Sequence, residues 1–448
     1  MDRRDFIKLC SLTGLGVAST QVTGSIINEV NAQDADPEAP LFVMVGASGG
    51  PDHLLLSSPL GNIDNGSFTP NRDFAPGDVQ TAGKNIRFAP PATIDPANGM
   101  AIIPETERTG YGQLLFDFQD IATVITGING QTNGHDTGRR VSSTGILAQN
   151  SPALAAIYAG AIAKGKPLAF ITHGYYDESR GTEVAKTRLG GGNQLSRVMY
   201  PNRINPNDEN TTGYHTEATS RRIAEARQAR LDKQIANQRL PQILDSMNLL
   251  YLARDGVQEL RRLNDFLPEE RSQGTAGQAE TIMAAYMAGL TVSATISRGG
   301  FDTHGNGTDP TQRNNMGSLV AGIRRLFELA DQYGVRDRMI VVLTGDFGRT
   351  PKYNAAIGKD HYPTTQTVVF DGTGRWPGGR QIGGIDDGGR FKKIDPGTLL
   401  PVDSGGIEMT HATVHANLRR TLGIADHPLA LLAPLQGETG VDLTADVI

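Results

Sequence analysis

Cysteine is all but missing from this chain: Cys10 is the single one among 448 residues. Beyond it there is no thiol, which excludes disulfide staples, thiolate nucleophiles and cysteine-ligated zinc from the rest of the protein. Tryptophan also occurs once, aromatic residues make up 6 % and apolar residues 38 %, so the core is modest for the length. No segment approaches the ~18 uninterrupted apolar residues of a membrane span. The net charge of −6 excludes a general pull toward nucleic acid or anionic membrane. Glycine is what abounds. Its 54 residues exceed the usual ~7 % and predict long, ordered loops around an α/β core that a chain of this length can bury.

The N-terminus carries a specific pattern. Asp2-Arg3-Arg4-Asp5-Phe6-Ile7-Lys8 precedes a short, mildly apolar stretch from Leu9 to Thr20, and Val30-Asn31-Ala32 fits an A-x-A-like cleavage site. That is how a twin-arginine export signal reads. The expectation is a signal over 1–32, a polar linker over 33–40 and one domain over 41–448. It makes the twin-arginine translocase a partner during export and the periplasm or the exterior the destination, with no integral membrane span in the mature chain. Cys10 falls inside the signal and has no lipobox before it. Twin-arginine export generally carries proteins already folded, often with a cofactor, so metal loading before export is permitted.

Along the domain, β-like runs alternate with helical ones. Leu41 to Val45 reads as a buried strand ending in the loop Gly46-Ala47-Ser48-Gly49-Gly50-Pro51-Asp52-His53. Further strands are expected at Ile121 to Ile125, Pro167 to Ile171, Thr291 to Ile296, Met339 to Leu343 and Thr365 to Phe370. Helical spacing covers Pro152 to Lys164, residues 277–289, Thr311 to Tyr333 and Ala412 to Leu422. Residues 57–110 look irregular, and 371–390 look like a turn-rich ribbon around Trp376-Pro377. Between Thr216 and Phe266, broken at Pro241, acids and bases interleave. Glu217, Glu225 and Asp232 dilute Arg221, Arg222, Arg227, Arg230, Lys233 and Arg239. This reads as a solvated helical hairpin inserted in the domain rather than a nucleic-acid face.

Three clusters carry the chemistry: Gly299-Gly300-Phe301-Asp302-Thr303-His304, Gly345-Asp346-Phe347-Gly348-Arg349-Thr350-Pro351, and Lys359-Asp360-His361-Tyr362-Pro363. Each follows or adjoins a strand, where a parallel sheet presents side chains to a cleft. Asp302 and His304, two apart, share one side of an extended segment and suit a single metal ion. A carboxylate at Asp346 with the guanidinium of Arg349 close by suits a cation and an ester oxygen, or else the two brace the turn. His361 is a further ligand or a loop histidine held by backbone. His173, His411 and His415 lie near element ends and read as structural, with His411 the reserve ligand.

These motifs, after a twin-arginine signal, resemble those of an uncharacterised family of exported bacterial proteins. That family is grouped with the alkaline-phosphatase and sulfatase-like superfamily, and the likeness is densest over 299–390. The resemblance implies a central mixed sheet flanked by helices, with a two-metal site at the sheet's C-terminal edge in active members. It places Asp302, His304 and His361 on the first metal and Asp346 on the second, where Phe347 stands in place of a histidine. An acid is implied after the first strand; Gly46 stands there and Asp52 is the nearest substitute. The segment His135-Asp136-Thr137-Gly138-Arg139-Arg140-Val141-Ser142-Ser143-Thr144-Gly145 resembles the one carrying the nucleophile. It sets His135 at the nucleophile and Arg139 at its supporting arginine, with Thr137, Ser142 and Ser143 as alternative hydroxyls. Asp302, His304, His361 and His135 suffice for one divalent ion (zinc, manganese, calcium or magnesium), while Asp346 and Asp52 would hold a second more weakly. The expected activity is metal-dependent hydrolysis of a small anionic phosphate or sulfate ester, with Arg349 or Arg139 binding the anion. The alternative is a non-catalytic binding or assembly protein of the cell envelope on the same fold.

Overall fold

The computed structural model describes residues 39–60, 74, 76–89, 110–189, 194–241, 243–244, 246–248, 260–305 and 308–447. The expected export signal and most of the linker lie outside the described residues. All of the described residues belong to one compact unit, Ala35–Ile448.

Eight strands form the central sheet: β1 (Leu41–Ala47), β2 (Ala122–Asn129), β3 (Phe170–Thr172), β4 (Lys186–Arg188), β5 (Ser293–Arg298), β6 (Met339–Gly345), β7 (Thr364–Asp371) and β8 (Arg380–Gly383). Their order across the sheet is β8-β2-β7-β6-β1-β5-β3-β4. β7 runs antiparallel to both its neighbours, and the other pairings are parallel. This is the mixed α/β sheet that the alternation of strands and helices predicts. The ribbon expected over 371–390 is only partly a ribbon, since Arg380–Gly383 pairs with β2 and closes one edge of the sheet.

Alternation along β1 shows why both faces are covered. Leu41, Val43, Val45 and Ala47 join the core beneath α1 (Tyr111–Asp117), α5 (Gly274–Met287) and α6 (Thr308–Tyr333). Phe42 and Met44 point to the opposite core, under α3 (Leu154–Ile162) and α7 (His411–Thr421). A strand buried on both faces reads as a continuous apolar run, which is what Leu41 to Val45 is. The helix of the charged insertion, α4 (Glu217–Asn237), starts at Thr216, whose hydroxyl accepts from the Thr219 N–H at 3.2 Å. Leu231 is its one buried residue, so the interleaved charges face solvent.

The sheet also fixes where the site lies. In register, Ala47 stands beside both Gly345 and Arg298. The loops after β1, β5 and β6 therefore leave the same edge side by side. β2 ends at this edge and leads into α2 (His135–Thr144), and antiparallel β7 begins here, just after His361.

Candidate metal centre

Asp302, in the loop after β5, is the hub of this edge. Its Oδ1 lies 3.0 Å from His361 Nε2 and accepts from the Arg349 guanidinium at 3.0 Å. Its Oδ2 lies 3.4 Å from His135 Nε2 and 3.3 Å from His304 Nε2. Partial burial disfavours the charge, but the hydrogen bond and charge of Arg349 outweigh it, with His361 and His304 adding to the effect when their rings are protonated. They hold this carboxyl at about 2, so Asp302 is an anion at any physiological pH.

The far side of each imidazole decides what the cluster can hold. His361 Nδ1 lies 2.8 Å from the Asn133 carbonyl oxygen, which can only accept, so Nδ1 carries the proton. His135 Nδ1 lies 2.9 Å from Asp346 Oδ2, again an acceptor. In their neutral forms both rings therefore turn an Nε2 lone pair toward the Asp302 carboxylate. Lone pairs facing an anion repel unless a cation lies among them. Metal-ligating histidines are held in this way, by a carboxylate or a backbone carbonyl on the second nitrogen. One donor atom from each of His135, Asp302 and His361 can be chosen so that all lie within 4.8 Å of one another, and two nitrogens with one oxygen suit a zinc-class ion. The residues present fit a divalent cation. His304 approaches Asp302 from the solvent side with its side chain 55 % exposed, at the rim of the three-residue group.

Local structure explains the convergence. His135 opens α2 behind Gly134, which supplies no side-chain cap. α2 seats Gly138 directly on the Asp346 backbone, where a Cβ would stand 2.3 Å from the Asp346 carbonyl oxygen. The helix comes close only because that position is glycine. His361 is set by a two-residue antiparallel pairing of His361–Tyr362 with Gly348–Arg349.

Several expected participants take other roles. Asp346 is completely buried behind His135, and its Oδ2 is occupied by His135 and by the Gly49 N–H at 2.9 Å. Burial is the main influence on its carboxyl and pushes it above the usual range, against the hydrogen bonds from His135 and Gly49. Asp346 thus backs the His135 imidazole instead of standing in the cluster itself. Asp52 is also outside the cluster: its carboxylate accepts from Lys359 Nζ at 2.7 Å and from the Leu54 N–H at 3.1 Å, fully buried. Arg349 is not exposed to any anion from solvent. Its guanidinium, completely buried, donates to the carbonyls of Gly50, Lys359, Gly49 and Phe301 and to Asp302. It ties the three site loops together. Arg139, one turn after His135, is half-buried and among the described residues pairs with the exposed Asp136 at 2.5 Å. Ser142 and Ser143 lie on the buried side of α2, and Thr137 Oγ1 accepts from Arg140 at 3.3 Å. Phe347 is buried with its ring centroid 4.3 Å from that of His361 and 4.8 Å from that of His135. It makes an apolar wall where the resemblance implies a histidine ligand.

Of the other histidines, His173 Nδ1 donates to the Leu189 carbonyl and His415 Nε2 to the Ser142 carbonyl, while His411 is buried on α7. None joins the cluster.

Two participants escape a reading for site motifs. Gln312, completely buried on α6, accepts from the Asp52 N–H at 3.0 Å and donates to the Phe301 carbonyl at 2.8 Å and to Thr303 Oγ1 at 2.9 Å. It locks the loop after β1 to the loop after β5. Its signal is a glutamine on the core face of an amphipathic helix, in line with Met316, Leu319 and Ile323. Tyr175 follows β3 at the same sheet edge, and its hydroxyl lies 2.8 Å from Ser142 Oγ. A polar aromatic just beyond a strand's C-terminal end was the available cue.

Among solved structures, the chain is similar to the PsFucS1 sulfatase from Pseudoalteromonas sp., at 9 % identity and a TM-score of 0.35, covering 93 % of this chain and 75 % of that one. It is similar to the phosphonate monoester hydrolase of Agrobacterium radiobacter, at 10 % identity and a TM-score of 0.31, covering 86 % and 74 %. A third likeness is to Ps i-CgsB in complex with k-i-k-neocarrahexaose, at 10 % identity and a TM-score of 0.33, covering 86 % and 72 %. Scores this low transfer no activity. A comparison with curated proteins finds no match. Residues 39–399 match the family model described as "Protein of unknown function (DUF1501)", and the chain belongs to that family.

Proposed function

We propose that this protein is a metal-dependent hydrolase of phosphate or sulfate esters, built on the alkaline-phosphatase-like plan. The observation that supports it is the pair of imidazoles, each fixed through Nδ1 and each turning Nε2 to the anionic Asp302. In this reading His135, Asp302 and His361 hold one divalent cation, with His304 as a further donor on the solvent side. A divalent cation there supplies Lewis acidity toward an ester oxygen and lowers the pKa of water. The chain's own residues then position the substrate. Arg139 meets the anionic group beside the N-terminus of α2, where the unpaired first-turn amides also favour negative charge. The Phe347 ring excludes water from one side, and the Asp346 carboxylate keeps His135 in the tautomer that leaves Nε2 available.

With His135 at the place of a nucleophile and both serines of α2 buried, the reading favours attack by water over a covalent serine intermediate. Export through the twin-arginine route to the periplasm or exterior belongs to the same proposal and rests on Arg3-Arg4 and the apolar stretch after it. Among the described residues no helix is long and apolar enough to cross a membrane. A second reading, a non-catalytic binding or assembly protein of the envelope, draws on Phe347 in a ligand's place.

Elemental analysis of the exported protein, followed by a screen of phosphate and sulfate esters, tests the proposal. About one metal ion per chain and a turnover abolished in His361→Ala are expected. Metal-free, stably folded protein would sink it; bound metal without turnover would favour the second reading.

A further inference from the structure

One side-chain amide joins two of the segments that carry the cluster. Asn354, half-buried in the loop between Arg349 and His361, uses every hydrogen-bonding position an amide has. Its Nδ2 donates to the His304 carbonyl at 2.8 Å and to Asp360 Oδ1 at 2.8 Å. Its Oδ1 accepts from the Ala356 and Gly358 N–H groups, both at 3.0 Å. These partners fix which way the amide faces, because turned over it would set an oxygen against two other oxygens.

The backbone around it is closed as firmly. The Asn354 N–H donates to the Gly358 carbonyl at 2.7 Å, and the Ile357 N–H to the Asn354 carbonyl at 3.0 Å. Ile357 is held at φ +60°, a left-handed conformation that is an outlier for a β-branched residue and persists only where its surroundings over-determine it. The next residue lies against the site: a Cβ on Gly358 would stand 2.4 Å from the His304 carbonyl carbon and oxygen. The Lys359 N–H then donates to the Thr303 carbonyl at 3.3 Å. Residues 354–359 therefore run along the backbone of Thr303 and His304, and only glycine at 358 lets them come so close. His304 needs this support. Its side chain is 55 % exposed, so little packing holds the ring, and the pinned backbone is what carries its Nε2 to 3.3 Å from Asp302 Oδ2.

We infer that Asn354 is a positioning residue for the metal centre: it holds His304 within reach of the cation that His135, Asp302 and His361 bind. The inference rests on the metal-centre reading above and deepens it, giving the rim histidine a fixed place beside the ion. Outer partners that hold a ligand in this way typically cost about 10–100-fold in metal affinity when they are lost.

The test is zinc(II) titration of the chelator-stripped, full-length protein in competition with a chromophoric chelator, and cobalt(II) titration followed by visible absorption. Asn354→Asp keeps both bonds that close the loop and puts an oxygen in place of the Nδ2 donor toward His304. We expect zinc binding about tenfold weaker than wild type and altered cobalt absorption bands, with the metal-free protein folded as wild type by circular dichroism. The added negative charge alone would act the other way, strengthening the hold on a cation. In a His304→Ala background the same substitution should cost nothing further, because its route to the metal is gone. An unchanged cobalt spectrum in Asn354→Asp, or an equal loss in the His304→Ala background, would overturn the inference and leave the metal centre standing. Should Asn354→Asp fail to fold, Gly358→Ala repeats the test, since it keeps the amide and presses on the His304 backbone. The same loss is expected there, and wild-type affinity would overturn the inference. No metal binding by the wild type would overturn both.

Discussion

Asp346 Oδ2 lies 2.9 Å from His135 Nδ1, a carboxylate behind an imidazole that faces Asp302. Ligand and supporter should therefore separate experimentally. His135→Ala, Asp302→Ala and His361→Ala each remove a donor atom and should abolish stoichiometric metal. Asp346→Ala should retain metal at an affinity reduced by about 10–100-fold. Metal content after dialysis, read beside a zinc titration, distinguishes the two behaviours; equal losses in all four would place Asp346 among the ligands.

Arg139 and Arg349 should respond in opposite ways. Arg139→Ala is expected to fold normally and to raise KM for an anionic ester more than it lowers kcat, because its partner Asp136 is exposed and the pair contributes little to stability. Arg349→Met strands four carbonyls and Asp302, and should lower the denaturant midpoint or prevent soluble expression. Arg349→Lys should not rescue it, since one ammonium cannot reproduce the forked donors. Steady-state kinetics and urea melts check the pair.

Asp52 and Lys359 form an ion pair with both side chains fully buried. Lys359→Met leaves an uncompensated buried carboxylate and should cost about 3–5 kcal/mol, measured by urea denaturation. Asp52→Asn should also destabilise, yet leave metal stoichiometry unchanged. A stable Asp52→Asn protein that has lost its metal would restore Asp52 as a ligand.

Burial on α7 lowers His411 from 6.5 to about 4 and His415 to about 3. Below pH 6.5 the unfolded chain gains protons at these positions that the folded chain refuses. Stability accordingly falls as pH drops through this window, by about 1.4 kcal/mol per pH unit for each histidine. His411→Phe removes one such group and should flatten the loss between about pH 6 and about pH 4.5 by one histidine's share. Melts across that range check it; an unchanged slope would mean His411 is protonated in the folded state.

The parts of the fold that could be read in advance were those governed by local periodicity. Leu41 to Val45 and Met339 to Leu343 are buried on both sheet faces, so their apolar runs marked them as strands. Arg380–Gly383 escaped notice because a short edge strand among glycines has no such run, and its pairing with β2 is non-local. The helix from His135 to Thr144 is also hidden, for its sequence is polar and the face it buries, Gly138, Val141, Ser142, Ser143 and Thr144, shows no apolar stripe.

For the site, sequence alone determined which residue types were available: no thiol beyond Cys10, and acids and histidines gathered after strands that end at one sheet edge. That followed from composition and from the topology of parallel strands. Only the tertiary structure decided which atoms meet. It gave Asp302 two imidazoles whose Nδ1 protons are already committed, buried Arg349 and Asp52 among partners of their own, and brought Tyr175 over Gly46. Direction and burial are properties of packing between segments far apart in the chain, and residue spacing does not carry them.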